Sequence, residues 1–132
     1  MDKAKNPPDS GKKIIYSAIQ PTGPLHLGNY FGALRNFVAL QSEYDCYFAI
    51  ADLHSLTADF NPKEKQNQVL SLAMDYLAIG LDPKQCVLFV QSQVPEVTEL
   101  AWIFNCLTPV VALERMTQFK ENPACMVFLS TD

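Results

Sequence analysis

Nowhere in the 132 residues does an apolar run approach the ~20 needed to span a bilayer, so no membrane anchor is expected. The opening stretch, "MDKAKNPPDSGKK", has no apolar signal-peptide core, no arginine and no amphipathic periodicity. It reads as a disordered leader over 1–13, with the cytoplasm as the expected location. A surplus of positive charge is also missing: the formal net charge is −4, which gives no general attraction to nucleic acid. Any RNA contact must then come from a local patch or from further chain. Cys46, Cys86, Cys106 and Cys125 show neither C-x-x-C nor Cys/His ligand spacing. They are expected to be buried reduced thiols, and neither disulfides nor a metal site is expected. There is no Walker loop, no G-x-G-x-x-G, no internal repeat and no low-complexity tract.

What is present suits one globular domain, with 48% hydrophobic and 18% charged residues. "IIYSAI" (14–19), "YDCYFAIAD" (44–52) and "CVLFVQ" (86–91) are short continuous apolar runs, the pattern of buried strands. Between the first two, Leu27, Tyr30, Phe31, Leu34, Phe37 and Val38 recur at three–four spacing, which predicts a helix with one buried face. Asn61, Pro62 and Glu64 predict a capped helix start, with Val69, Leu72, Ala73, Tyr76 and Leu77 as its buried stripe and Gly80 as terminator. After Pro95 a helix is expected to bury Val97, Leu100, Ile103, Phe104 and Leu107, with Trp102 in core or interface packing. A final helix over 109–121 would turn Val110, Leu113, Met116 and Phe119 inward. Alternation of strand and helix implies an α/β fold, a parallel sheet with right-handed crossovers and cover on both faces.

Ligands of open parallel sheets collect outside the carboxyl ends of the strands. Three loops fall there, "QPTGPLHLGN", "ADLHSLT" and "QSQVPE", each richer in functional side chains than a short connection requires. In the first, Gly23 and Gly28 permit close backbone approach, and residues 26–29 would form a first helical turn whose free N–H groups favour a phosphate. His26 could donate a hydrogen bond to charge on a phosphoryl group, and Gln20 could reach the same ligand. Composition alone favours a plainer reading, in which Gly and Pro shape the turn and His26 caps the helix.

"SAIQPTGPLHLGNYFGALRNFVALQ" resembles the signature of class I aminoacyl-tRNA synthetases, of the tryptophanyl branch, with "HLGN" (26–29) in the place of the His-Ile-Gly-His-type motif. The likeness continues through "YDCYFAIADLHSLT", "YLAIGLDP", "VLFVQSQVPE" and "LERMTQFKE", covering residues 14–121 in the family's order. It implies a Rossmann-like nucleotide-binding domain that activates L-tryptophan with ATP and Mg2+, then transfers it to tRNA(Trp). By resemblance, Gln20, Pro21 and Thr22 border the ATP site, Gly28 and Asn29 contact the adenosine, and His26 assists at the phosphates. Tyr16, Asp52, His54 and Gln118 would serve the tryptophan site, and helices after the third strand would contribute to a homodimer. On residue type alone, Asp52 would cap its turn, His54 line a pocket, Tyr16 sit in the core as readily as in a pocket, and Gln118 face solvent.

The family is longer. Its Lys-Met-Ser-Lys-Ser-type loop, its anticodon domain and the acidic residue that reads the indole N–H have no counterpart in this sequence. The domain is therefore expected to be incomplete on its C-terminal side, and the segment 122–132, "NPACMVFLSTD", departs from the family pattern. Two other readings stay open at this point: a truncated, non-catalytic product that associates through its helices, and a tyrosyl-type fragment. A nucleotidyltransferase with an H-x-G-H motif fits less well, because Asn29 and "QPTG" depart from it.

Overall fold

The computed structural model describes residues 11–57 and 60–121; most of the leader, the segment 122–132 and Cys125 lie outside the described residues. The chain divides into two units, residues 1–94 and 95–132. In the first, β1 (Ile14–Ile19), β2 (Asp45–Ile50) and β3 (Cys86–Val90) form the parallel sheet that the α/β expectation requires, in the order β1-β2-β3. Ile19 pairs with Ile50, and Ile50 with Val90. All three strands therefore end on one line, and the loops that follow start side by side.

This strand order never reverses. Right-handed crossovers between strands laid down 1-2-3 deliver every helix to the same face. The core shows that result: Leu34 and Phe37 from the first crossover and Leu72 and Tyr76 from the second share one cluster with Cys46, Phe48 and Ile50. Cover on both faces, expected from the alternation, is thus not what the first unit builds. By strand alternation, Tyr16, Tyr47 and Phe89 point to the opposite face. In the core, the Phe48 ring stacks on Phe37 at 4.3 Å, and Tyr76 meets Phe37 edge-on at 6.4 Å. The Tyr76 hydroxyl donates to the Ala49 carbonyl at 3.1 Å, and burial pushes its phenol far above the ordinary range.

The first crossover is not one regular helix. α1 (Leu27–Asn29) runs into a wide turn (Tyr30–Leu34) and then α2 (Arg35–Leu40). The Arg35 N–H reaches back to the Tyr30 carbonyl, an i→i+5 bond that adds a residue to the turn. That slip breaks the three–four phase. Leu34 and Phe37 are buried, whereas Leu27, Tyr30 and Phe31 are exposed instead of sharing their face.

α3 (Pro62–Ala78) starts as expected: Asn61 Oδ1 accepts from the Lys63 N–H at 3.1 Å, and Pro62 occupies the first helical turn. Glu64 bonds the Asn61 side-chain amide at 3.0 Å. Its end is a Schellman motif, with the Leu81 N–H on the Tyr76 carbonyl and the Gly80 N–H on that of Leu77. Gly80 has φ +104, a conformation glycine adopts without a Cβ clash. Leu72 and Tyr76 are buried and Val69 and Ala73 half-buried, but Leu77 is exposed. It lines an apolar hollow of about 300 Å³ with Leu88 and Val90, at the edge where the described sheet ends.

Between α3 and β3, the Asp82 carboxylate accepts from the Lys84 N–H at 2.9 Å and the Gln85 amide at 3.0 Å, which hold it below the usual carboxylate range. A depressed folded-state pKa contributes stability that is complete above the unfolded value and lost as pH falls through the folded one. Acid unfolding followed by circular dichroism should therefore be less pH-dependent in Asp82→Asn than in the parent chain, the difference lying below about pH 4.

The second unit holds α4 (Pro95–Leu107), α5 (Val110–Leu113) and α6 (Thr117–Glu121). The single helix expected over 109–121 is broken, because tight i→i+3 bonds at Arg115 and Met116 close α5 before α6 begins. The expected buried stripe is also corrected. Val97 is half-buried, but Leu100, Ile103, Phe104, Leu107, Val110 and Met116 are exposed, as is Trp102 at 70%. Cys46 and Cys86 are buried free thiols whose titration burial pushes upward, whereas Cys106, expected to be buried, is exposed on α4.

Candidate functional site

A recess of about 270 Å³ opens at the carboxyl end of β1, lined by Ile19, Gln20, Thr22, Gly23, Pro24, Leu25, His26 and Asn29. It gathers four of the expected residues, Gln20, Thr22, His26 and Asn29. The chain reaches it through a turn that only a glycine relaxes into: Gly23 has φ +146, in the region L side chains rarely adopt. A Cβ there would meet nothing within 4 Å, so Gly23 serves backbone conformation and not close approach.

His26 is the N-cap of the helical segment, extended at φ −117 and ψ 169. Its carbonyl accepts from the N–H groups of Asn29 at 2.9 Å and Tyr30 at 3.2 Å, and its own N–H donates to Asn29 Oδ1 at 3.0 Å. His26 and Asn29 thus form a capping box, the His26 side chain set against the Asn29 N–H and the Asn29 side chain returning the bond from three residues on. The exposed imidazole lies directly over Gly28, where an added Cβ would fall 2.9 Å from both ring Cε1 and Nδ1. Gly28 does not line the recess; it makes room for the ring that does. Pro21 is also not a wall residue. It is almost fully buried, and its carbonyl accepts from the Lys65 ammonium at 3.2 Å.

The second loop is bonded to the third. Asp52 Oδ1 accepts from the Ser92 N–H at 3.0 Å, and Gln91 Oε1 accepts from the His54 N–H at 3.3 Å. Asp52 thus caps the turn Gln91–Gln93 of the third loop, and not its own turn as residue type alone led one to expect. His54 opens the turn His54–Thr57, with its side chain exposed. Tyr16 lies on β1 with its ring 6.4 Å from Phe89, on the sheet face away from α2 and α3, and is not part of the recess. Gln118 falls on α6 in the second unit, and its side chain is outside the described set.

Sequence reasoning missed Lys65, Ser55, Gln91 and Ser92. Lys65 had a readable signal. It stands four residues before Val69 and seven before Leu72, so a charged residue occupies the buried stripe of α3.

The profile of a family described as tRNA synthetases class I (W and Y) matches residues 9–127. A tryptophan–tRNA ligase of Rickettsia conorii is 52% identical over 111 residues, covering 84% of this chain and 34% of the relative. The crystal structure of tryptophanyl-tRNA synthetase from Campylobacter jejuni complexed with ADP and tryptophan superposes with TM-score 0.77 at 36% identity, over 84% of this chain and 35% of that one. The synthetase from Mycoplasma pneumoniae gives 0.78 at 36% identity, over 86% and 33%. The chain thus spans about a third of the length of the relatives it matches.

Proposed function

The chain belongs to the class I tRNA synthetases of the tryptophan and tyrosine branch, and from that membership we propose that it supplies the first part of a tryptophan-activating catalytic domain. In the first step a carboxylate oxygen of tryptophan attacks the α-phosphorus of ATP. The P–O bond to the β-phosphate breaks, and pyrophosphate leaves with the electron pair. In the second, the 2′- or 3′-hydroxyl of the terminal adenosine of tRNA(Trp) attacks the activated carbonyl, and AMP leaves.

The observation that carries the reading is the recess at the end of β1, where Gln20, Thr22, His26 and Asn29 converge on one side of a volume open to a ligand. Chemistry of this kind is mostly orientation and stabilisation of charge on phosphoryl oxygens. His26 would hydrogen-bond those oxygens, while Gln20, Thr22 and Asn29 orient the nucleotide and Gly28 keeps the imidazole in place. The lining residues include no carboxylate, so Mg2+ would enter on the ATP phosphates and not on the protein wall. On the neighbouring loops Asp52 and His54 would border the amino acid, with Tyr16 and Gln118 as further contacts. The ADP-and-tryptophan complex of the Campylobacter jejuni neighbour supports both ligands.

One further observation favours association: Leu100, Ile103, Phe104 and Leu107, at three–four spacing on α4, are all exposed, an apolar face suited to pairing with a second copy. A cytoplasmic location belongs to the same proposal, as the function in protein synthesis implies; separately, among the described residues no helix is long and apolar enough to cross a membrane.

Tryptophan-dependent exchange of pyrophosphate into ATP tests the reading. The 132 residues alone should show little or no exchange, because the recess forms one side of the ATP site. The same chain joined to the remaining two-thirds of the Rickettsia conorii relative should exchange readily. Strong exchange by the chain alone would refute the partial-site claim, and activation of tyrosine by the chimera would refute the tryptophan assignment.

A further inference from the structure

The three loops that leave the sheet on one line are joined by a continuous run of hydrogen bonds, and Lys65 enters that run from α3. Its ammonium donates to the Pro21 carbonyl at 3.2 Å on the first loop and to Ser55 Oγ at 3.0 Å on the second. Ser55 Oγ donates onward to the Asp52 carbonyl at 2.6 Å. Asp52 Oδ1 and Gln91 Oε1 then carry the connection to the third loop, by accepting from the N–H groups of Ser92 and His54. The Phe60 ring flanks the ammonium, 5.4 Å from its centroid.

Two features make this bridge more than a surface contact. Ser55 is fully buried and Pro21 nearly so, so the ammonium bonds oxygens that water does not reach freely. Charge-assisted hydrogen bonds in such surroundings are stronger than solvated ones. Lys65 also sits on the inward stripe of α3, in line with Val69, Leu72 and Tyr76, so its stem runs along the packed face and its head emerges at the loops. The Pro21 carbonyl lies between Gln20 and Thr22, both of which line the recess. Moving that carbonyl moves both walls.

We propose that Lys65 is a positioning residue, whose ammonium sets the spacing between the loop bearing Gln20, Thr22 and His26 and the loop bearing Asp52 and His54. Lys65 does not itself line the recess. Its effect on ATP rests on the functional reading above, whereas its effect on the loops does not.

Amide hydrogen exchange by NMR on the chain as it stands separates the two. Lys65→Met keeps the stem and removes the charge and the donors. The amide protons of Thr22, His54 and Ser92, each hydrogen-bonded in the parent, should exchange about tenfold faster in this variant, while those of Phe48 and Ile50 in β2 stay within about twofold. Lys65→Arg should restore most of the protection. Ser55→Ala removes one of the two acceptors of the ammonium together with the donor to the Asp52 carbonyl, and should loosen His54 and Ser92 more than Thr22, which keeps the test decisive should Lys65→Met fail to fold. ATP affinity, measured by titration on the chimera carrying the same substitutions, should fall about tenfold in Lys65→Met and recover in Lys65→Arg.

Unchanged loop exchange overturns the proposal, as does acceleration of β2 equal to that of the loops, which would mark Lys65 as general support for the fold. Equal, measurable ATP affinity in the chimera with and without Lys65→Met overturns it too. If the chimera with the unsubstituted chain binds no ATP while the loop-specific exchange pattern holds, the functional reading fails and the positioning role of Lys65 stands.

Discussion

Phe48→Ala should lower the stability of the chain by about 3–5 kcal/mol in urea unfolding, a large share of the 5–15 kcal/mol typical of a domain. Phe48 is fully buried at the centre of β2 and stacks on Phe37 at 4.3 Å with an interplanar angle of 10°. Removing the ring strips its transfer energy and leaves a cavity between β2 and α2 that the paired strands cannot close. The stacking itself is worth about 0.5–1.5 kcal/mol beyond area, and a double-mutant cycle with Phe37→Leu should recover a coupling of that size. Leu77→Ala is the control. It lies on the same helix as Tyr76 but is half exposed over the hollow beside β3, so its loss should be under about 1 kcal/mol. A comparable loss at Leu77 would mean that the core is not centred on the Phe37, Phe48 and Tyr76 rings.

The same contrast marks what the amino-acid order disclosed. The strands and their parallel pairing were legible because three short apolar runs alternate with helical spacing, but their order in the sheet was not. The ends of α3 were legible because Asn61-Pro62 and Gly80 have conformational reasons to stand where they do. The wide turn at Tyr30–Leu34 was not. A three–four spacing assumes a constant turn, and one i→i+5 bond shifts everything before it off the shared face. The apolar periodicity of α4 was real, but periodicity states that a face is apolar and not what covers it. At the site, Gln20, Thr22, His26 and Asn29 were found because they are adjacent in the chain. Lys65 is 44 residues from Pro21, and only the sheet register brings the two together. Tyr16 went to the face away from α2 and α3 because apolar residues occupy both faces of β1, leaving strand alternation without a signal.

His26→Ala should reduce tryptophan-dependent pyrophosphate exchange by about 10²–10³-fold in the chimera, the usual cost of removing one preorganised donor from a developing negative charge. Loss of the side chain leaves two bonds of the cap in place, from the residue-26 N–H to Asn29 Oδ1 and from the Asn29 N–H to the residue-26 carbonyl. Circular dichroism and unfolding should therefore stay near the parent. Gly28→Ala reaches the same imidazole by another route. The new methyl would stand 2.9 Å from Cε1 and Nδ1 of His26, with no other group as close, so the ring must swing aside while the backbone keeps its path. A displacement of about 1 Å in a reacting group can cost about 10²-fold. Because one ring mediates both losses, they cannot add. In a His26→Ala background the Gly28→Ala change should have almost no further effect. If instead the double variant shows the product of the two losses, Gly28 acts on the nucleotide directly, and room for the imidazole is not the reason for a glycine at that position.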